Sequence, residues 1–330
     1  MSDREINLLS LDGGGVRGLS SLIILQHLME AIDPENPPRP CDHFDLIGGS
    51  GSGGLIAILL GRLEMDIPQC IRAYKAMVQD VFPEKKMWGW RSRGKCDIKR
   101  VELAIRCALR KYGFERDELF REGGGEDQEE EQEEEEGMCR VFVCATENST
   151  RKLVHMTSYA SKYTSNELYK NTKVFEAACA SFAYPSLFGT VKVGPSGRQY
   201  HDSTQEANNP MREVWIEARG IWPEGALEDQ LRCMVSIGTG EPLIRRARKR
   251  QPGLAKALHS DAVDMNRFIQ EHTELDDEDR LFRFDVPNGL AEIAMDDIGE
   301  LSTIVDATES YLERELVYKQ VRRCAAALSV

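Results

Sequence analysis

Nowhere in its 330 residues does this chain approach the run of about 18 consecutive apolar residues that a membrane-crossing helix needs. The longest such run is Leu55–Leu60. Its first residues, MSDREINLLSLDGGG, have neither the basic start nor the apolar middle of a secretory signal, so a cytosolic chain is predicted. Paired cysteines are also missing. The nine cysteines are odd in number, spread from Cys41 to Cys324, and contain no CxxC pair and no Cys/His metal spacing. That pattern argues against a disulfide framework or a zinc site and predicts reduced thiols in or near the core. No internal repeat is found, and the six histidines show no metal-ligand spacing.

Basic charge is in short supply: the formal net charge is −13, which disfavours nucleic acid and anionic surfaces as partners. Nine of the acids, however, sit in EDQEEEQEEEE, Glu126 to Glu136, and without them the chain stands at −4. Glycines flank this run and like charges cannot bury apolar surface, so residues 122–137 are predicted to form a disordered acidic insertion. A run of opposite sign, RRARKR at Arg245–Arg250, reads as a solvated face, with contact to anionic lipid headgroups as its alternative.

What is present is enough apolar material, 41% of residues, for a large core. INLLSL (6–11) reads as a buried strand and 19–32 as a helix stopped by DPENPPRP. FDLI (44–47) reads as a second strand, followed by an all-round apolar helix from 54 to 65. Further helices are predicted at 67–82, 99–113 and 172–183, with strands at 140–147 and 232–240. Residues 241–330 are expected to be a mostly helical part packed on the core. Strand, tight turn and helix in alternation imply a three-layer α/β/α fold with a mainly parallel sheet. Functional sites in such sheets lie at the carboxyl ends of the strands. Three glycine-rich turns fall there: 12–18, 48–54 and 238–240.

LDGGGVRGLS admits two readings. Gly13, Gly15 and Gly18 match the dinucleotide-binding spacing, with Asp33 further on, but that acid lies in a Pro-rich loop instead of ending a second strand. The other reading is an anion hole: consecutive glycines turn backbone N–H groups into a cavity at a helix N-terminus, where the dipole favours developing negative charge. Arg17 adds a positive charge or ties the loop down.

DGGGVRG followed by FDLIGGSGSGGLIA resembles the patatin-like phospholipase family, cytosolic acyl hydrolases that use a Ser–Asp dyad and no histidine. EAACASFAYPSLF, HDSTQEANNP and VSIGTG are similar to later segments of that family in the same order, so the resemblance spans roughly residues 5–240. It implies one patatin-like domain over 1–330, an acyl-lipid substrate such as a phospholipid, no cofactor and no metal. The oxyanion hole would be formed by Gly13, Gly14 and Gly15 with Arg17.

The nucleophile motif departs from the family pattern, which puts its serine on position 51, here Gly51. Three readings stand. The elbow slides one residue later, with Ser52 as nucleophile between Gly51 and Gly53. It slides one earlier, with Ser50 between Gly49 and Gly51. Or the site is catalytically silent and the domain binds lipid or a protein partner. Adjacent strand residues point to opposite faces, so either slide requires the glycines to bend the backbone. The family's aspartate aligns with Asp202 through ANNP, although Ser203 and Thr204 replace the residues that usually follow it. As base to a serine, Asp202 would need a site dry enough to raise its pKa toward neutrality. KKMWGW (Lys85–Trp90) suits peripheral contact with a lipid interface, and the ending CAAALSV fits one domain of a larger signalling protein.

Overall fold

Among the described residues, eight strands form one sheet: β1 (Ile6–Leu11), β2 (Leu46–Ser50), β3 (Arg140–Glu147), β4 (Leu153–Thr157), β5 (Val191–Val193), β6 (Arg198–Asp202), β7 (Leu231–Ile237) and β8 (Leu281–Phe284). The computed structural model describes residues 5–82, 96–121, 138–240, 265–290 and 292–329. The acidic run 122–137, the tryptophans of Lys85–Trp90 and the basic run Arg245–Arg250 lie outside the described residues. β1 pairs in parallel with β2 and β7, β2 with β3, and β7 with β8. The antiparallel pairs are β3 with β4, β3 with β6, and β5 with β6.

The main helices are α1 (Gly18–Ile32), α2 (Ser52–Ala57), α3 (Ile67–Val81), α4 (Ile98–Lys111), α5 (Val174–Phe182), α6 (Met211–Ile221), α7 (Leu301–Leu312) and α8 (Glu315–Ser329). Their starts follow local chemistry. Asp66 caps α3 by accepting the Gln69 N–H at 2.7 Å, and Asp97 caps α4 through Lys99 N–H at 3.0 Å. The predicted helix at 54–65 is shorter as a regular α-helix, because α2 runs into a π turn over Ile58–Arg62. No described helix is long and apolar enough to cross a membrane.

Alternation along the strands makes the three layers. Leu9 and Leu11 of β1, Ile47 of β2 and Val141, Val143 and Ala145 of β3 face one core, covered by α1 to α5, α7 and α8. Ile6, Leu8, Leu46, Phe142 and Cys144 face a second core, where Met211, Val214 and Trp215 of α6 cover them. Six of the nine cysteines are buried and all nine are free thiols.

One detail of pairing positions the site. β3 offers two edges. Gly48, Gly49 and Ser50 pair with Phe142, Val143 and Cys144, which on their other edge pair with β4. Ala145 and Thr146 also pair with β4, and their remaining edge takes Asp202 and His201 of β6. β6 therefore succeeds β2 along the same edge of β3. The end of β6, Asp202, opposes the residue just after the one that opposes Ser50, so it meets the turn that leaves β2.

Candidate active site

At that turn Gly51 has φ 54° and ψ −124°, a left-handed conformation that side-chain-bearing residues adopt only under strain. The chain passes there from strand to helix in one sharp bend, as an elbow requires. A Cβ built on Gly51 would lie 2.8 Å from Asp202 Oδ2, 3.2 Å from Gly13 Cα and 3.3 Å from Thr204 Oγ1. The apex of the elbow thus looks straight at the carboxylate, with a bare α-carbon. Close approach from behind is tighter still: a Cβ on Gly53 would run into the Leu11 carbonyl oxygen, so the start of α2 abuts the end of β1.

Ser50 and Ser52 part company here. Ser50 shares the face of Leu46 and Gly48, toward α6, and its Oγ hydrogen-bonds Ser203 Oγ at 3.0 Å. Asp202 stands opposite Ala145 and so shares that residue's face, the other side of the sheet. Ser52 opens α2. Its Oγ is buried, makes no hydrogen bond to Asp202, and Ser52 lines a cleft together with Asp202 and Gly15. The Tyr74 hydroxyl is a neighbour of Ser52, but its proton goes to the Gly15 carbonyl, at 2.5 Å. Beyond these polar atoms the cleft is walled by Phe82, Phe182 and Phe188, whose ring centroids lie 5.7–5.9 Å apart. Its cavity volume is about 10 Å³.

Asp202 is 2% exposed. Its Oδ1 accepts the Thr204 N–H at 2.7 Å, while Oδ2 is the oxygen turned to the elbow. Burial pushes its carboxyl up to about 7, against the opposing pull of Thr204 and with a smaller push from Glu206. A carboxyl so placed exchanges a proton near neutral pH. His201 points away: its Nδ1 lies 2.8 Å from the Asp202 carbonyl oxygen and its Nε2 3.4 Å from Arg151 Nη1, leaving no Ser-His-Asp arrangement.

Gly15 of the glycine loop lines the same cleft, and the loop's amides differ in availability. Gly13 N–H donates to Asn208 O at 3.1 Å, and Val16 N–H to Met295 O at 2.9 Å. Among the described residues, the Gly14 and Gly15 amides donate to nothing. Gly15 itself sits at φ 59°, held by the Tyr74 bond to its carbonyl. Arg17 is buried, and its Nε donates to Gly14 O at 3.2 Å, so it ties the loop down; burial lowers its pKa to about 10.

Residues that sequence reasoning missed hold this loop. Arg283 of β8 makes two bonds to Asp12, Nη1 to Oδ1 at 2.9 Å and Nη2 to Oδ2 at 2.7 Å, and reaches Asp285 at 2.6 Å and Ser236 Oγ at 2.7 Å. Burial raises the Asp12 carboxyl to about 6 despite the Arg283 charge. Thr239 Oγ1 donates to Gly13 O at 2.6 Å, which packs the third glycine turn onto the first. Nothing in the linear sequence links Asp12 to a residue 271 positions away. No group of His, Cys, Asp or Glu among the described residues is arranged to hold a metal ion.

Comparison with known proteins identifies one family. The model of the patatin-like phospholipases matches residues 9–215. Calcium-independent phospholipase A2-gamma of Rattus norvegicus is 27% identical over 245 residues, covering 72% of this chain and 29% of that protein. Patatin-like phospholipase 1 of Plasmodium falciparum is 25% identical over 359 residues, covering 99% of this chain and 50% of that protein. The chain therefore spans half or less of the length of these relatives. The crystal structure of VipD from Legionella pneumophila superposes with a TM-score of 0.44 at 13% identity, over 93% of this chain and 67% of that one.

Proposed function

The chain belongs to the patatin-like phospholipase family, and from that premise we propose that the cleft at Gly51 takes the acyl ester of a phospholipid or other acyl lipid for hydrolysis. Asp202 is the proton acceptor, and the Gly14 and Gly15 amides stabilise the tetrahedral oxyanion. Gly13 and Arg17, expected to join them, act instead by fixing the loop, since the Gly13 amide and the Arg17 Nε are already engaged within it. One oxyanion-hole donor is typically worth about 2.7–4 kcal/mol in the transition state. The three phenylalanine rings would have to part to receive the start of the acyl chain, since the cleft as it stands has a volume of about 10 Å³. Of the two neighbouring serines, Ser52 is the protein hydroxyl with access to the cleft.

The observation that carries the reading is the raised Asp202 carboxyl facing the elbow beside two unengaged amides. It is assayed by hydrolysis of p-nitrophenyl butyrate, comparing wild type with Asp202→Asn. A rate in wild type that Asp202→Asn brings to background supports hydrolysis; equal background rates in both reject it. A second reading, lipid binding without turnover, is favoured by the bare α-carbon at the apex. It predicts that wild type binds vesicles of phosphatidylcholine without releasing fatty acid. Peripheral placement at a membrane, and service as one domain of a larger signalling protein, belong to the same proposal.

A further inference from the structure

We propose that the oxygen attacking the acyl carbonyl in this cleft comes from a water held between Asp202 and Ser52, so that acyl transfer proceeds by one displacement and the protein is never acylated. The proposal rests on the reading of the cleft as an acyl-ester site and adds the source of the nucleophile.

Four observations support it. The elbow apex, the position from which a side-chain oxygen would meet Asp202 Oδ2, is Gly51 and has none. Ser50 lies on the other face of the sheet, bonded to Ser203. Ser52 Oγ is buried with the Tyr74 hydroxyl as its polar neighbour, and no hydrogen bond joins it to Asp202, so no base is in place to take its own proton. Finally, Asp202, Ser52 and Gly15 line one cavity of about 10 Å³. That is close to the least space that admits a water, which there needs two to four polar partners of this kind. A side-chain oxygen is confined to the arc of its rotamers, whereas a water settles where its partners converge. Ser52 is then a positioning residue that orients the water.

The chemistry balances. As the water oxygen forms its bond to the acyl carbon, its proton passes to Asp202 Oδ2, and the carbonyl π pair moves onto oxygen beside the Gly14 and Gly15 amides. Collapse of the tetrahedral oxyanion breaks the ester C–O bond, and Asp202 returns its proton to the departing alkoxide. Ester and water give acid and alcohol, with Asp202 regenerated.

The test is pre-steady-state hydrolysis of p-nitrophenyl butyrate by the purified full chain. Acid-quenched samples, and samples treated with a fluorophosphonate, are weighed intact by mass spectrometry. Wild type should turn over without a burst and without an added acyl or phosphonyl mass. Asp202→Asn should lose about 100-fold or more, the usual worth of a general base, and Ser52→Ala less than about 10-fold. Gly51→Ser, which restores a side-chain oxygen at the apex, should gain a burst and a phosphonyl adduct on residue 51. An adduct on Ser52, or loss to background in Ser52→Ala, overturns the water route and leaves the acyl-ester reading standing. So does activity in Gly51→Ser with none in wild type. Background rates in every protein, each folded by circular dichroism, sink the acyl-ester reading itself.

Discussion

Replacing Asp202 by asparagine should make the protein more resistant to alkaline conditions, by an amount that follows from burial. In the unfolded chain this carboxyl titrates near 3.8, and in the fold near 7. Between those values the folded protein keeps a proton that the unfolded chain gives up. Unfolding then releases a proton, and stability falls as pH rises. At about 1.4 kcal/mol per pH unit, the whole penalty reaches about 4 kcal/mol above pH 7, and about 2.5 kcal/mol of it accrues between pH 5 and pH 8. The asparagine amide keeps an oxygen for the Thr204 N–H but has no such proton to lose. Other titrations, that of Asp12 included, are common to both proteins and cancel in the difference. The gap in melting temperature between Asp202→Asn and wild type, followed by circular dichroism, should therefore widen by about 4–5 °C from pH 5 to pH 8, at roughly 2 °C per kcal/mol for a chain of this size. A gap that stays constant would mean that Asp202 ionises like a surface carboxyl, and the argument for it as a neutral-pH base would collapse.

The same titration should appear in catalysis: hydrolysis rises through about pH 7 to a plateau, read from a pH-rate profile of p-nitrophenyl butyrate turnover. Gly51→Ala places a Cβ at 2.8 Å from Asp202 Oδ2 on a left-handed backbone, at a cost of about 1–3 kcal/mol measured by chemical denaturation. Arg283→Met leaves the Asp12 and Asp285 carboxylates without their partner and should cost about 3–5 kcal/mol, part of which Asp12→Asn in the same chain recovers. Tyr74→Phe removes one of two donors to the buried Gly15 carbonyl, which keeps the Gly18 N–H, for about 0.5–1.5 kcal/mol in thermal unfolding.

Much of the architecture is legible because its signals are local. The buried strands 6–11 and 140–147 are short and mostly apolar, and α1, α3 and α4 repeat apolar residues at helical spacing, so each is found within a residue or two of its observed bounds. β4, β5, β6 and β8 carry no such signal. They are three to five residues long and hold Lys, Arg, Gln or His among their apolar residues. Such strands are specified by the edge they pair with, not by their own pattern.

Linear order alone is enough to read the family, the glycine loop, the elbow with its glycine at position 51, and the aspartate at 202, because each is a residue type at a fixed place in a motif. Three further features appear once the chain has packed: the opposite facing of the two serines, the loop amides left unengaged, and the grip of Arg283 on Asp12 across 271 positions. Facing direction follows from strand pairing, and a carboxyl's proton affinity from its burial, and both arise only when segments far apart in the chain come into contact.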